Sequence, residues 1–100
     1  MLKRSFFFAL SLSIAAPALA SEQRKETCEI TADIVSQAVA ARLDGRTQAQ
    51  AKTDLSQDGS GITGIYKATI PSLVDMVYGF EQSTLGDGVV DDYRAQCLKF

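Results

Sequence analysis

Apolar residues recur at helical spacing in the region that follows residue 25. Between about Glu26 and Asp44 they fall on one side of a helix, while polar residues gather on the opposite side. The apolar stripe consists of Cys28, Ala32, Val35, Val39 and Leu43. This pattern predicts an amphipathic helix that faces a core, ended by the left-handed conformation that Gly45 readily adopts.

Two shorter patterns follow. Thr47 and Gln50 have the spacing of a capping box and predict a second helix over residues 48–56. Residues 72–78 are clearly helical in pattern, but residues 62–69 are not, since Gly64 and β-branched side chains weaken it. Pro71 can begin a helix or kink one, so residues 62–78 are either one kinked helix or two elements.

A last helix is predicted over about Val89 to Lys99, with Asp87 as its N-cap. Val90, Tyr93 and Cys97 share one face of it. The resulting fold class is all-α, a small four-helix bundle closed by one disulfide between the N- and C-terminal helices.

The first twenty residues have the pattern of a cleaved signal peptide. Lys3 and Arg4 precede an apolar run, Pro17 interrupts it, and Ala18 and Ala20 place small residues before a cut at Ser21. The run is short for a membrane span. We therefore expect residues 1–20 to be removed on export, leaving a single helical domain over residues 21–100 in the periplasm or, if released, outside the cell.

The two cysteines are expected to form a structural disulfide. An exported chain meets an oxidising compartment, where a lone pair of cysteines is usually bridged. Cys28 and Cys97 both lie on predicted buried stripes, and they lack the Cys-x-x-Cys spacing of a redox site.

Charge argues against two classes of partner. The chain carries ten Lys and Arg and twelve Asp and Glu, a net charge of −2. Loss of Lys3 and Arg4 with the signal peptide would leave eight basic residues and a net charge of −4. Nucleic acid and anionic lipid both require clustered basic residues, so neither is expected as a partner.

The composition also argues against catalysis. The chain has no histidine, which removes the usual general base and the commonest metal ligand. Asp54, Ser56, Asp58 and Gly59 match the start of a calcium loop, but Ile65 stands where a bidentate Glu is required. We predict no catalytic residue, no metal site and no cofactor, and we expect a protein that is not an enzyme.

Aromatic residues are the candidates for a binding surface. Tyr78 and Tyr93 are expected in the core, whereas Phe80 follows Gly79 and precedes polar residues, which favours an exposed position. Aromatic side chains dominate protein-binding hot spots. Tyr66 and Phe80 are therefore the predicted protein-binding residues.

Two groups of small exported helical proteins resemble this chain. Thr27-Cys28-Glu29 resembles the early Thr-Cys-Glu segment of the HdeA-type acid-stress chaperones, which also carry two cysteines, although their second cysteine lies nearer the middle of the chain. In size, helix content and disulfide use the chain is similar to periplasmic immunity proteins that neutralise type VI amidase effectors. Either resemblance implies a helical periplasmic protein that binds other proteins.

The favoured function is a protein-binding module that sequesters or inhibits one periplasmic partner. The first alternative is an acid-activated chaperone, since its carboxylates would lose their charge near pH 3–4 and leave a self-repelling, positively charged chain. The second alternative is a structural subunit of an envelope assembly. The sequence leaves the identity of the partner and the oligomeric state open.

Overall fold

A computed structural model describes the backbone of residues 7–99 and the side chains of residues 20–99, and this part of the chain is entirely helical. Its four α-helices are α1 (Phe7–Leu43), α2 (Gln48–Ser56), α3 (Ile70–Gly79) and α4 (Asp87–Lys99), joined through short 3-10 segments at Asp58–Ser60, Gly64–Thr69 and Gln82–Thr84. The predicted all-α class is confirmed.

Helix α1 is longer than predicted. It begins at Phe7 rather than near Glu26, and it passes through Pro17 and the polar residues 21–25. Residues 20–27 are all exposed, so packing does not explain the helix over this stretch; the Glu, Gln, Arg and Lys residues there are strong helix formers. The basic residues of the predicted signal peptide lie outside the described residues. None of the described helices is both long enough and apolar enough to span a bilayer.

The ends of α1 and α2 follow the predicted local signals. Gly45 has a φ of +84°, the left-handed conformation expected just beyond a helix. Thr47 accepts a hydrogen bond from the backbone N–H of Gln50 at 3.1 Å, and the Gln50 side chain accepts one from the N–H of Thr47 at 2.9 Å. The capping box is thus complete, and α2 has the predicted bounds.

The region that was predicted as either one kinked helix or two elements consists of two elements of different pitch. The 3-10 segment Gly64–Thr69 runs directly into α3, and Pro71 lies in the first turn of that helix. Proline is tolerated there because a first-turn N–H has no partner within the helix. Helix α4 begins at Asp87, two residues earlier than predicted, so Asp87 belongs to its first turn rather than preceding it.

The core lies between α1, α2 and α3. Its buried apolar side chains are Ile34, Val35, Ala38, Val39, Ala51, Leu55, Ile62, Ile70, Leu73, Val74 and Val77. Helix α4 has no buried residue and packs on this core through Val89, Val90 and Tyr93. The predicted disulfide between Cys28 and Cys97 is present and joins α4 to α1.

Candidate functional site

The main candidate site is an apolar groove between α3 and α4, which we call the α3–α4 groove. It has a volume of about 650 Å³ and is lined by Met76, Phe80, Thr84, Gly88, Val89, Asp92, Tyr93 and Gln96. The volume is in the range of clefts that take a ligand or a few side chains of a partner. The groove is open to solvent, so a protein segment can reach it.

Phe80 stands at the edge of this groove, as the sequence analysis predicted for an exposed aromatic residue. Its side chain is 41% exposed. It follows the last residue of α3, and its backbone is extended. A half-exposed ring beside an apolar groove is a typical anchor for a protein partner.

Arg42 of α1 fixes the backbone at Phe80. Its Nη1 donates hydrogen bonds to the carbonyl oxygens of Val77, at 2.8 Å, and of Phe80. Its guanidinium also lies 5.4 Å from the ring centroid of Tyr78. These carbonyl groups lie at the C-terminal end of α3, where a positive charge is favourable. Phe80 therefore projects from a fixed point rather than from a free loop.

Tyr66 lies elsewhere. It lines a separate cavity of about 530 Å³ with residues of α1 that include Glu26, Glu29 and Asp33. Its ring packs against the core, and its hydroxyl is 3.4 Å from Thr27 Oγ1. The structure does not bring Tyr66 and Phe80 together. Beside Tyr66, Ile65 is 80% exposed. This exposure was not expected from the sequence, because Ile65 has the helical spacing of a residue on an apolar face.

Tyr78 and Tyr93 are both half-buried and pack against the core. Tyr78 donates a hydrogen bond to the carbonyl oxygen of Arg46 at 2.7 Å, and burial raises its pKa above the usual 10. Tyr93 also lines the α3–α4 groove, which the assignment to the core did not anticipate.

Ion pairs tie the helices together around the core. Arg46 makes two hydrogen bonds, of 2.9 and 3.0 Å, to the carboxylate of Asp54. Lys52 lies 2.7 Å from Asp75, and this contact, followed by a hydrogen bond from Gln48, lowers the pKa of that exposed carboxyl. Such exposed pairs contribute little stability each; they restrict how the helices sit.

Helix α4 is held on α1 at two places. One is the disulfide, and the other is Arg94, whose Nε lies 3.0 Å from Glu29 Oε1 and whose Nη1 donates to Asp91 at 3.2 Å. The Nε–H is buried but not directed at Glu29, so this contact is an ion pair without a hydrogen bond. These two links add to the packing of Val89, Val90 and Tyr93 in holding one wall of the α3–α4 groove.

The part of the sequence that resembles a calcium loop is engaged in other contacts. Asp54 pairs with Arg46, and Asp58 lies 3.4 Å from Lys67. Within residues 20–99 no three His, Cys, Asp or Glu side chains converge as they would around a metal ion.

The sequence did contain a signal for the α3–α4 groove. Met76 and Phe80 are four residues apart, and so are Val89 and Tyr93, a spacing that places two side chains on the same side of a helix.

Comparison of this chain with protein-family models, curated proteins and solved structures gave no match.

Proposed function

We propose that this chain is a small exported protein-binding module without enzymatic activity. It sequesters or inhibits one protein partner in the periplasm, in the manner of an immunity protein or inhibitor. The observation that carries the proposal is the α3–α4 groove, with the half-exposed ring of Phe80 at its edge.

Rigidity of the surface supports this role. Binding is weakened by the entropy lost when flexible groups become ordered, so a surface that is already fixed binds more tightly. Here the disulfide fixes α4, and Arg42 fixes the end of α3. The two walls of the groove are thus positioned before any partner arrives.

The proposal includes the architecture and the location of the mature protein. Residues 1–20 are removed as a signal peptide, and residues 21–100 form a four-helix bundle closed by the bridge between its first and last helices. The disulfide is compatible with an oxidising compartment, as the periplasm is. The acidic balance of the chain gives no reason to expect a nucleic-acid partner.

The proposal is tested by affinity capture. The full chain, with a C-terminal tag, is expressed in its source cells, and the oxidised protein is recovered from the envelope under neutral conditions with whatever co-elutes. We expect one partner at a fixed stoichiometry. Phe80→Ala should weaken its binding by about 30-fold or more, since truncation of a hot-spot aromatic costs 2 kcal/mol or more.

Leu98→Ala is the matched control. Leu98 is also 41% exposed and lies on α4, but it does not line the α3–α4 groove. We expect it to leave binding unchanged, and both variants to melt within a few degrees of the wild type. Equal loss of binding in the two variants, or none in Phe80→Ala, would contradict the assignment of this surface.

A further inference from the structure

We propose that the α3–α4 groove takes an amphipathic helix of the partner protein, with basic residues near that helix's C-terminal end. The inference rests on the function proposed above and specifies the chemistry of the partner. It follows from the shape of the groove and from the arrangement of charge along it.

The shape of the groove fits one face of a helix. Five of the lining residues lie on α4. They form two rows, in each of which successive residues are four positions apart: Gly88, Asp92 and Gln96 in one, and Val89 and Tyr93 in the other. They span nine residues, from Gly88 to Gln96, a rise of about 12 Å or two helical turns. Met76 and Phe80, one turn apart, form the opposite wall. A long apolar groove between two helices is the usual receptor for an amphipathic helix.

The part of the groove beside the N-terminal half of α4 is acidic. Asp92 lines it midway along α4, Glu81 follows Phe80 and Asp87 precedes Gly88, and all three carboxylates are exposed. Among the described residues none of the three is in an ion pair, in contrast to Asp91, which binds Arg94.

The positive charge nearby does not balance these carboxylates. The N-terminus of α4 supplies about half a positive charge. Arg42, bonded to the Phe80 carbonyl, supplies one more. Three carboxylates exceed that sum, so basic residues of a partner would be attracted to this end of the groove.

The other end of the groove has the opposite charge. Beyond Tyr93 and Gln96 the surface continues into a second apolar hollow beside the disulfide, lined also by Arg24 and Thr27. Arg24 has no carboxylate partner among the described residues, and Lys99 follows two positions after Cys97. The charge thus reverses along α4, from acidic at its N-terminus to basic at its C-terminus.

This reversal fixes the direction of the bound helix. Its basic end lies over Asp87 and Asp92, and its acidic end lies towards Arg24. Isolated helices favour acidic residues in the first turn and basic residues in the last. The partner helix therefore runs antiparallel to α4, which also sets the two helix dipoles in opposition.

The probe is a pair of synthetic peptides of about 15 residues, or four turns. Both carry the same apolar face, with spacing i, i+3, i+4 and i+7. One has Glu in its first turn and Lys in its last two, and the other has these charges exchanged. We expect the first peptide to bind about tenfold more tightly at low salt, and the difference to shrink at high salt. Its binding should shift the amide resonances of Phe80, Val89 and Tyr93.

The double variant Asp87→Asn, Asp92→Asn should remove the preference between the two peptides. Asn at position 87 is compatible with a helix start, so the fold is expected to persist, which thermal melting verifies. Asp33→Asn with Asp44→Asn, which removes one exposed charge on α1 and one just after it, is the control and should keep the preference.

Equal affinity for the two peptides, shifts centred on Tyr66 instead of Phe80, or no binding would overturn the inference. So would concentration-dependent dimers that Phe80→Ala abolishes, since a second copy would then be the occupant. A different result would contradict the proposed function, namely capture of the partner that Phe80→Ala does not weaken. Capture that depends on Phe80 but not on Asp87 and Asp92 would remove only the inference drawn here.

Discussion

At the scale of single residues, two side chains connect the C-terminal end of α1 and the turn after it to α3. Arg42 closes the C-terminus of α3, and the hydroxyl of Tyr78 on α3 returns a hydrogen bond to the Arg46 carbonyl. The ring of Tyr78 also lies beneath the Arg42 guanidinium. Together these contacts fix the angle between α3 and the turn after α1.

Tyr78→Phe is expected to lower the free energy of unfolding by about 1 kcal/mol, the usual contribution of one hydrogen bond. The change leaves the ring and its contact with Arg42 in place. Chemical denaturation at neutral pH measures it. Tyr93→Phe is the control, because the Tyr93 hydroxyl makes no hydrogen bond among the described residues, and it should change stability little.

Because of Tyr78, we expect the stability of the folded protein to depend on pH in the alkaline range. Burial raises the pKa of Tyr78 in the folded protein above its unfolded value of about 10. Its contribution is therefore fully present below pH 10 and is lost as the pH rises through the folded pKa. The stability of Tyr78→Phe should fall less steeply over that range than that of the wild type; parallel curves would contradict the role given to this hydroxyl.

At the scale of elements, α4 differs from the other three helices. No residue of α4 is buried, and its apolar contacts with the core are made by the half-buried Val89, Val90 and Tyr93. The disulfide adds a covalent link to α1, and Arg94 adds an ion pair with Glu29. The α3–α4 groove exists only while α4 stays in place, so binding and the state of the cysteines should be linked.

Replacement of both cysteines, Cys28→Ser with Cys97→Ser, is expected to destabilise the protein by about 4 kcal/mol, because the bridge closes a loop of 69 residues in the unfolded chain. Amide hydrogen exchange should show that α4 loses protection first, while α1, α2 and α3 retain theirs. The reduced wild type should behave in the same way. Unchanged protection of α4 in both proteins would show that its half-buried side chains suffice.

Elements with local signals were predictable from the sequence, and those that depend on tertiary contacts were not. The bounds of α2 follow from Thr47 and Gln50, which bond to each other across one turn. The predicted start of α1 near Glu26 was wrong because the apolar pattern marks only the part of a helix that packs, and the strong helix formers in residues 21–25 continue the helix without it. The α3–α4 groove was missed because Met76 and Tyr93 come to line one groove only once α3 and α4 are both packed on α1.

At the scale of the whole molecule, the cut proposed before Ser21 falls within the exposed part of α1. Among the described side chains, packing begins at Cys28, and residues 20–27 are exposed.

We expect the protein recovered from the envelope of its source cells to begin at Ser21, which N-terminal sequencing or intact mass will measure. Ala20→Leu should slow the cut, because the peptidase requires a small residue before it. An intact N-terminus in the wild type would contradict cleavage, since residues 1–20 would then remain attached.

The distance between the cysteines along the chain would set the order of events in the proposed export. An N-terminus that crosses first carries Cys28 to the oxidising side, and 69 residues follow before Cys97 can join it. For transport coupled to synthesis at about 5–20 residues per second, this takes roughly 3–14 s. During that interval Cys28 would be an unpaired cysteine, open to capture by an oxidoreductase as a mixed disulfide. Closure of the ring would thus be a late event, and the proposed binding surface would be complete only when transport of the chain is nearly finished.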